Sequence, residues 1–368
     1  MSGAENVRRT LACVLLSIAA VILFGAGFLA FQFWIFLKMP GNSVREVRRL
    51  TIQPGTGAFQ VAELLHRHGV ITDPEKFYVL CRVRGVANRL QAGEYAFLPL
   101  SGPGRILDQI VQGRVIVHFA TLPEGSTLRD VARIMESSGL VSGSEILRYS
   151  RDRNFIAALD LDVPSLEGYL FPDTYHFSKP LDAPDALKAM VRQFHRRLPE
   201  GWRQRSRELG MDLHEVVIMA SLIEKEAVLD SERPIISAVF HNRLRIDMPL
   251  QSDPTAVYDL ADFSGAITSD HLKRNSPYNT YVNKGLPPGP ICNPGARSIE
   301  AALYPLSVRY LYFVSNSDGT HHFSETLSEH RKAVARYRER QKVRSGREGV
   351  PAGSTPPESG ENQTAEGE

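Results

Sequence analysis

A chain of 368 residues, 43% hydrophobic and 23% charged, is long enough for two or three domains that each bury a core. Its three cysteines exclude a disulfide-stapled scaffold and a four-cysteine metal site. A formal net charge of +2 gives no reason to expect nucleic acid as a partner.

From Thr10 to Leu37 run 28 residues without one Asp, Glu, Lys or Arg. A helix crosses a bilayer core with roughly 20 apolar residues, so a single span in lipid is predicted over residues 11–37. A secretory signal has an apolar region of about 7 to 15 residues and a small-residue cleavage site. This run is longer and closes on Phe33, Trp34, Ile35, Phe36 and Leu37, the bulky and aromatic types that mark an interface. No apolar stretch precedes Cys13, which argues against a lipid-modified cysteine. Orientation stays open. Arg8 and Arg9, offset by Glu5, precede the span, while Lys38, Arg45, Arg48 and Arg49, offset by Glu46, follow it. That count leans against export of the large part, yet large domains translocate despite such a bias.

Residues 50–141 carry a faint duplication. At an offset of 70 residues, Gly55–Ile71 matches Gly125–Val141 at Gly55/Gly125, Val61/Val131, Ala62/Ala132, Leu64/Ile134, Leu65/Met135 and Gly69/Gly139. Each copy reads as a strand, a Pro-containing turn, a short amphipathic helix capped by Thr56 or Ser126, and a Gly stop. Between them the pattern predicts a helix around Ile106–Val111 and a strand around Val115–Leu122. Such units more often bind or space than catalyse.

Residues 142–200 read as helices and loops, with a turn at Pro172 and Asp173. A very apolar helix follows over His214–Ala227, then a long loop rich in Pro, Asn, Gly and Tyr. A strand is predicted over Arg309–Asn316 and a charged helix over Leu327–Gln341. The last 26 residues carry five Glu and two Arg with almost no bulky apolar side chains, so disorder is expected there.

The helix HEVVIMASLIEKEA places Glu224 and Glu226 near one end of an apolar rod. Burial disfavours the charged carboxylate and raises its pKa, which suits a general acid and base. The plainer reading is a packed network in which Lys225, Arg233, Arg243 or Arg245 neutralises one of the two, more readily Glu226 than Glu224. Downstream, Asn242, Gln251, Asp253 and Thr255 fall in one compact segment, and Tyr278 and Asn279 precede a stiff Gly/Pro run. Amides, hydroxyls and aromatic faces in a rigid loop could hold a sugar, or could simply pack across a core. His321 and His322 would point to opposite sides of a strand, and no thiolate or carboxylate stands near them, Asp318 or His330 at convincing ligand spacing. Cys292 lacks a His at a diagnostic position, and there is no HExxH pattern or phosphate loop. No metal or cofactor is expected.

SLIEKEA (Ser221–Ala227), NRL (Asn242–Leu244), LQSDPTAVY (Leu250–Tyr258), SPYNTY (Ser276–Tyr281), GLPPGPICNPG (Gly285–Gly295), LYFV (Leu311–Val314) and HHFS (His321–Ser324) occur in that order. With LEGYLFPDTYHF (Leu166–Phe177) upstream, the set resembles the YceG-like family of endolytic murein transglycosylases over roughly residues 45–340. The resemblance implies a single-pass protein of the cell (inner) membrane, with its catalytic domain periplasmic or extracellular. Its partners would be peptidoglycan glycan strands and the penicillin-binding polymerases of elongation or division. It implies cleavage inside nascent strands between MurNAc and GlcNAc, leaving a 1,6-anhydroMurNAc end and ending elongation.

The fold it implies is α+β. A cytoplasmic N-terminus (1–10) and the transmembrane helix (11–37) precede a LysM-like α/β subdomain (45–120). A mixed α/β catalytic domain with a buried catalytic helix (121–342) and a disordered tail (343–368) follow. The family's acid falls on Glu224. Asn242, Gln251, Asp253, Thr255, Tyr278 and Asn279 are the expected sugar contacts or tuning groups, with Glu226 as a neighbour that tunes the acid. Two other readings remain: a tethered, non-catalytic peptidoglycan-binding or division scaffold, and a hydrolase pairing Glu224 with Asp253.

Overall fold

In a computed structural model of the chain, residues 2–39, 46–261 and 263–348 are described. The charge-poor run forms α1 (Ser2–Lys38), whose stretch Cys13–Lys38 is long and apolar enough to cross a membrane. The chain then divides into two units, Met1–His118 with His176–Leu181, and Phe119–Tyr175 with Asp182–Glu368.

In the first unit, β1 (Arg48–Ile52) is followed by α2 (Ala58–Arg67) and α3 (Pro74–Val83), then β2 (Gly93–Phe97) and α4 (Pro103–Val111). The two strands pair antiparallel with Leu50 opposite Tyr95. Alternation turns Leu50, Ile52, Tyr95 and Phe97 inward. They meet Val61, Leu65, Phe77, Ile106 and Ile110 from the helices in one core. α4 starts earlier than the sequence pattern suggests, because Pro103 follows the Gly102 cap and is pre-set for a first helical turn.

The second unit opens with β3 (His118–Thr121), α5 (Leu128–Ser137), α6 (Gly143–Tyr149) and α7 (Arg153–Ala157). β4 (Thr174–Phe177) meets the start of this unit through Thr121 and Thr174, whose hydroxyls are 3.0 Å apart. Helices dominate from there: α8 (Ala183–Arg197), α9 (Trp202–Leu209), α10 (Leu213–Glu226), α11 (Arg233–Arg245), α12 (Ser269–Leu272) and α13 (Ala296–Leu303). A hairpin of β5 (Tyr312–Ser315) and β6 (His321–Ser324) precedes α14 (Leu327–Glu348).

The duplication is visible in backbone detail. Gly55 and Gly125 take φ of 80° and 75°, and Gly69 and Gly139 take 66° and 65°. Those left-handed positions open and close each copy, where glycine carries no steric penalty. The expected caps are displaced by one residue. Thr56 and Ser126 turn back to donate to the Gln53 and Pro123 carbonyls, while Gly57 and Thr127 occupy the cap positions. A hydroxyl engaged in its own turn is not available to the helix N-terminus.

Two strands are shorter than their sequence patterns. The predicted Arg309–Asn316 begins only at Tyr312, because α11 takes the preceding carbonyls. Asn242 donates to Val308 and Tyr310, and Arg243 donates to Leu311. The predicted Val115–Leu122 is reduced to β3. At the C-terminus, α14 runs to Glu348, past its expected end at Gln341. The rest of the predicted disordered tail lies outside the described residues.

Candidate active site

α10 is closed at its start by a reciprocal cap, in which Asp212 accepts from the Glu215 amide and Glu215 accepts from the Asp212 amide. Eight consecutive residues, Val216–Ile223, are buried. The helix therefore holds its C-terminal end rigidly. Glu224 and Glu226 are two residues apart, about 200° around the axis, and they enter different surroundings.

Glu224 is buried in an ion pair. Its Oε1 lies 3.2 Å from Nη1 of Arg233, with side-chain exposures of 6% and 8%. Its Oε2 accepts the Gly295 amide at 2.9 Å. Gly295 caps α13, so this carboxylate sits at a helix N-terminus, where unpaired N–H groups favour negative charge. Arg233 is itself fixed by Asp230 and by the Ser298 hydroxyl. The plainer network reading therefore fell on the other acid than expected: the arginine neutralises Glu224, and Glu226 lies elsewhere.

The second copy of the duplicated turn forms one wall. Lys225 donates to the Gly125 carbonyl at 2.8 Å, and a Cβ on Gly125 would stand 3.7 Å from Cγ of Glu224. Glu124 rests against Gly295, where a Cβ would collide with its carboxylate. Two carboxylates thus approach one helix N-terminus. The first copy has Pro54 and Gly55 at these positions, and nothing lies within 4 Å of a Cβ on Gly55.

Behind the turn lies Glu167, which sequence reasoning passed over. Its carboxylate accepts from the Leu128 amide at 2.9 and 3.1 Å and from the Tyr258 hydroxyl at 2.8 Å. Burial pushes this carboxyl up to about 7, against the lowering pull of those two donors. Asn293 completes the junction. Its Oδ1 accepts from Gly168 and Leu170, and its Nδ2 donates to Ser126. A Cβ on Gly168 would lie 2.7 Å from Pro290 and Val217, so only glycine permits this approach. Tyr258 in turn packs on Tyr278, with ring centroids 4.7 Å apart.

Glu226 faces the Gln251–Asp253 segment. Ser252 donates to its Oε1 at 2.5 Å, and burial, aided by the nearby Asp253 charge, pushes it up to about 7. Asp253 is also raised by burial and accepts from the Tyr281 hydroxyl at 2.5 Å. Glu226 therefore belongs to a second acidic cluster with Asp253.

Three expected sugar contacts are structural clamps. Asn279 is fully buried and donates to Leu272 and Arg274. Thr255 is fully buried between Ser252 and Thr280. Asn242 spends both amide hydrogens on the chain entering β5. Thr255 and Asn279, satisfied inside the core, have no polar group left for a ligand, while the half-buried Asn242 has both amide hydrogens and its Oδ1 already engaged. Gln251 and Tyr278 differ. Both are half-buried, and Gln251 is anchored through its backbone at a φ of 48°, donating to Thr280. His321 is held by Glu232, which accepts from its amide and from its ring.

A model of the YceG-like family matches residues 50–336. Over 304 residues the chain is 34% identical to an endolytic murein transglycosylase of Bacillus subtilis (strain 168), covering 78% of this chain and 84% of that one. An endolytic murein transglycosylase of Streptococcus pneumoniae serotype 2 is 24% identical over 350 residues, covering 86% of this chain and 63% of that longer one. The fold is similar to the crystal structure of a yceG-like protein from Listeria monocytogenes, with a TM-score of 0.54 and 32% identity over 78% of this chain and 99% of that chain.

Proposed function

The chain belongs to the YceG-like family, and we propose that it is an endolytic murein transglycosylase that cuts peptidoglycan glycan strands with Glu224 as its acid and base. The observation that carries this reading is the setting of Glu224. It stands at the end of a rigid buried helix, against Arg233, the Gly295 amide and the Gly125 turn.

In the proposed reaction Glu224 first takes up a proton from solvent, leaving Arg233 to its second partner Asp230, and then gives that proton to the glycosidic oxygen between MurNAc and GlcNAc as the bond breaks. Arg233 and the Gly295 amide hold the carboxylate that remains. The same carboxylate then takes the proton of the muramyl C6 hydroxyl as its oxygen attacks the anomeric carbon, closing a 1,6-anhydro ring. One carboxyl returns to its starting state and no water is consumed. Tyr278 offers a ring face to a sugar, and Gln251 an amide. Asp253, hydrogen-bonded to Tyr281, supports a sugar-binding wall in the second acidic cluster.

The first unit acts as a LysM-like subdomain that precedes most of the catalytic domain in the chain. With α1 as the span and the catalytic domain outside the membrane, the site meets new strands close to the polymerases that extend them, and cutting there ends elongation. The test is digestion of uncrosslinked glycan strands by the purified full chain. Wild type is expected to shorten strands internally, giving fragments of many lengths from the start. Release of single disaccharides from strand ends, or equal cutting by Glu224→Gln, contradicts the reading.

A further inference from the structure

The apolar part of α1 is longer than a bilayer core requires. About 20 helical residues rise about 30 Å, the thickness of the hydrocarbon core, so Cys13–Gln32 suffices to cross it. Phe33 to Lys38 then fall at one membrane face. These residues do not meet lipid alone. Phe36 is only 4% exposed, and Phe33 and Leu37 pack on the same core as Leu50, Tyr95 and Ile106. A Cβ on Gly102, the cap of α4, would lie 3.6 Å from the Leu37 carbonyl. The first unit grows directly from the interfacial end of the helix.

Beside that contact, the turn closed by the Ser101 amide on the Leu98 carbonyl turns two leucines outward. Leu98 is 66% exposed and Leu100 63%, and Leu100 holds a φ of 60°. A left-handed backbone at a branched apolar residue is uncommon and costs energy. Water offers nothing in return for it. Met39, just past the end of α1, is exposed as well. Arg48 lines one shallow concavity with Leu98 and Leu100, with Glu46 also on its lining, and its buried Nε has no hydrogen-bond partner among the described residues. The half-buried Arg48 carries the positive charge that a headgroup phosphate attracts, with its Nε turned inward.

We infer that the Leu98–Pro99–Leu100 turn inserts into the bilayer interface beside the end of α1, with Arg48 at headgroup depth. The occupant of this apolar patch is lipid, because the patch continues the surface at which α1 leaves the membrane. Two attachment points, helix and turn, fix the first unit against rotation about α1. The inference rests on α1 being a membrane span, and the experiment separates the two.

The full chain is placed in phosphatidylcholine nanodiscs with ordinary or dibrominated acyl chains, which quench indoles that reach them. One protein, Trp202→Phe, leaves Trp34 of α1 as its sole indole. The other carries Trp34→Phe, Trp202→Phe and Leu98→Trp. The introduced indole is expected to lose emission to an extent comparable with Trp34. Quenching of Trp34 without quenching of the introduced indole overturns the inference while leaving the span intact. An unquenched Trp34 overturns the span and the turn with it. Hydrogen exchange of unsubstituted protein supplies a second measurement: the amides of Leu98, Leu100 and Ser101 should exchange more slowly in nanodiscs than in water-soluble conditions without lipid, and equal exchange contradicts insertion.

Discussion

Glu224 and Arg233 form an ion pair closed from solvent on both sides, one residue ending α10 and the other beginning α11. Arg233 keeps Asp230 as a second partner, whereas the Glu224 carboxylate without Arg233 would keep only the Gly295 amide. Removing one partner of such a pair leaves an uncompensated charge and typically costs about 3–5 kcal/mol. Arg233→Gln is therefore expected to lower stability by roughly that amount in denaturant unfolding. Glu224→Gln, which keeps shape and a hydrogen-bond acceptor, should lose less stability and nearly all activity. A loss of activity in Arg233→Gln with unchanged unfolding would show that the arginine serves the reaction alone.

Glu226 gives the protein a pH dependence of definite sign. Its carboxyl rises from an ordinary 4.5 to about 7 in the folded chain, so the folded state binds the proton more tightly than the unfolded one. Its stability contribution is fully present below about 4.5 and is lost as pH rises through about 7. The effect is on the order of 3 kcal/mol for complete titration. Wild type should lose more stability between pH 5 and pH 8 than Glu226→Gln. Parallel losses in both proteins would place the titration elsewhere, with Glu167 the next group to substitute.

Gly295 and Glu124 compete for one volume. A methyl group at Gly295 would meet the Glu124 carboxylate, although the φ of −74° suits alanine. Gly295→Ala is expected to displace Glu124, lower stability by about 1–3 kcal/mol and reduce turnover. Glu124→Ala combined with Gly295→Ala should recover stability relative to Gly295→Ala. A purely additive pair would show that the two side chains do not compete.

Glu167 ties the α5 N-terminus to the Tyr258–Tyr278 pair. Glu167→Gln puts an NH2 where one acceptor oxygen was, so the Leu128 amide, which contacts both oxygens, faces a donor on one side. The expected outcome is a raised KM together with a reduced kcat, on the order of tenfold in kcat/KM, with the chain still folded. A change in unfolding midpoint with unaltered kinetics would confine Glu167 to the core.

How far the sequence discloses this site can be followed residue by residue. Periodicity exposed α10, and the offset repeat exposed both copies of the turn, because those signals are local. The caps were displaced by one because Thr56 and Ser126 have a turn carbonyl within reach that composition alone does not reveal. Glu167 left no local trace: its partners Leu128, Tyr258 and Asn293 stand 39, 91 and 126 positions away. A signal for Glu124 did exist, since it stands in place of Pro54, directly before the glycine that both turns share. Asn279 and Asn242 looked like ligand contacts because an amide that clamps backbone and an amide that binds sugar are the same residue type. Burial distinguishes Asn279, and the hydrogen-bond partners distinguish Asn242.

The chemistry at Glu224 is tested most directly by the mass of the new chain end. Glycan strands digested by the full-length protein in water enriched in heavy oxygen are analysed by mass spectrometry. A transglycosylase using one carboxyl gives ends lighter by one water, without heavy oxygen, and Glu224→Gln gives none. New ends that carry a free reducing sugar with heavy oxygen, or anhydro ends that persist in Glu224→Gln, would contradict the assignment.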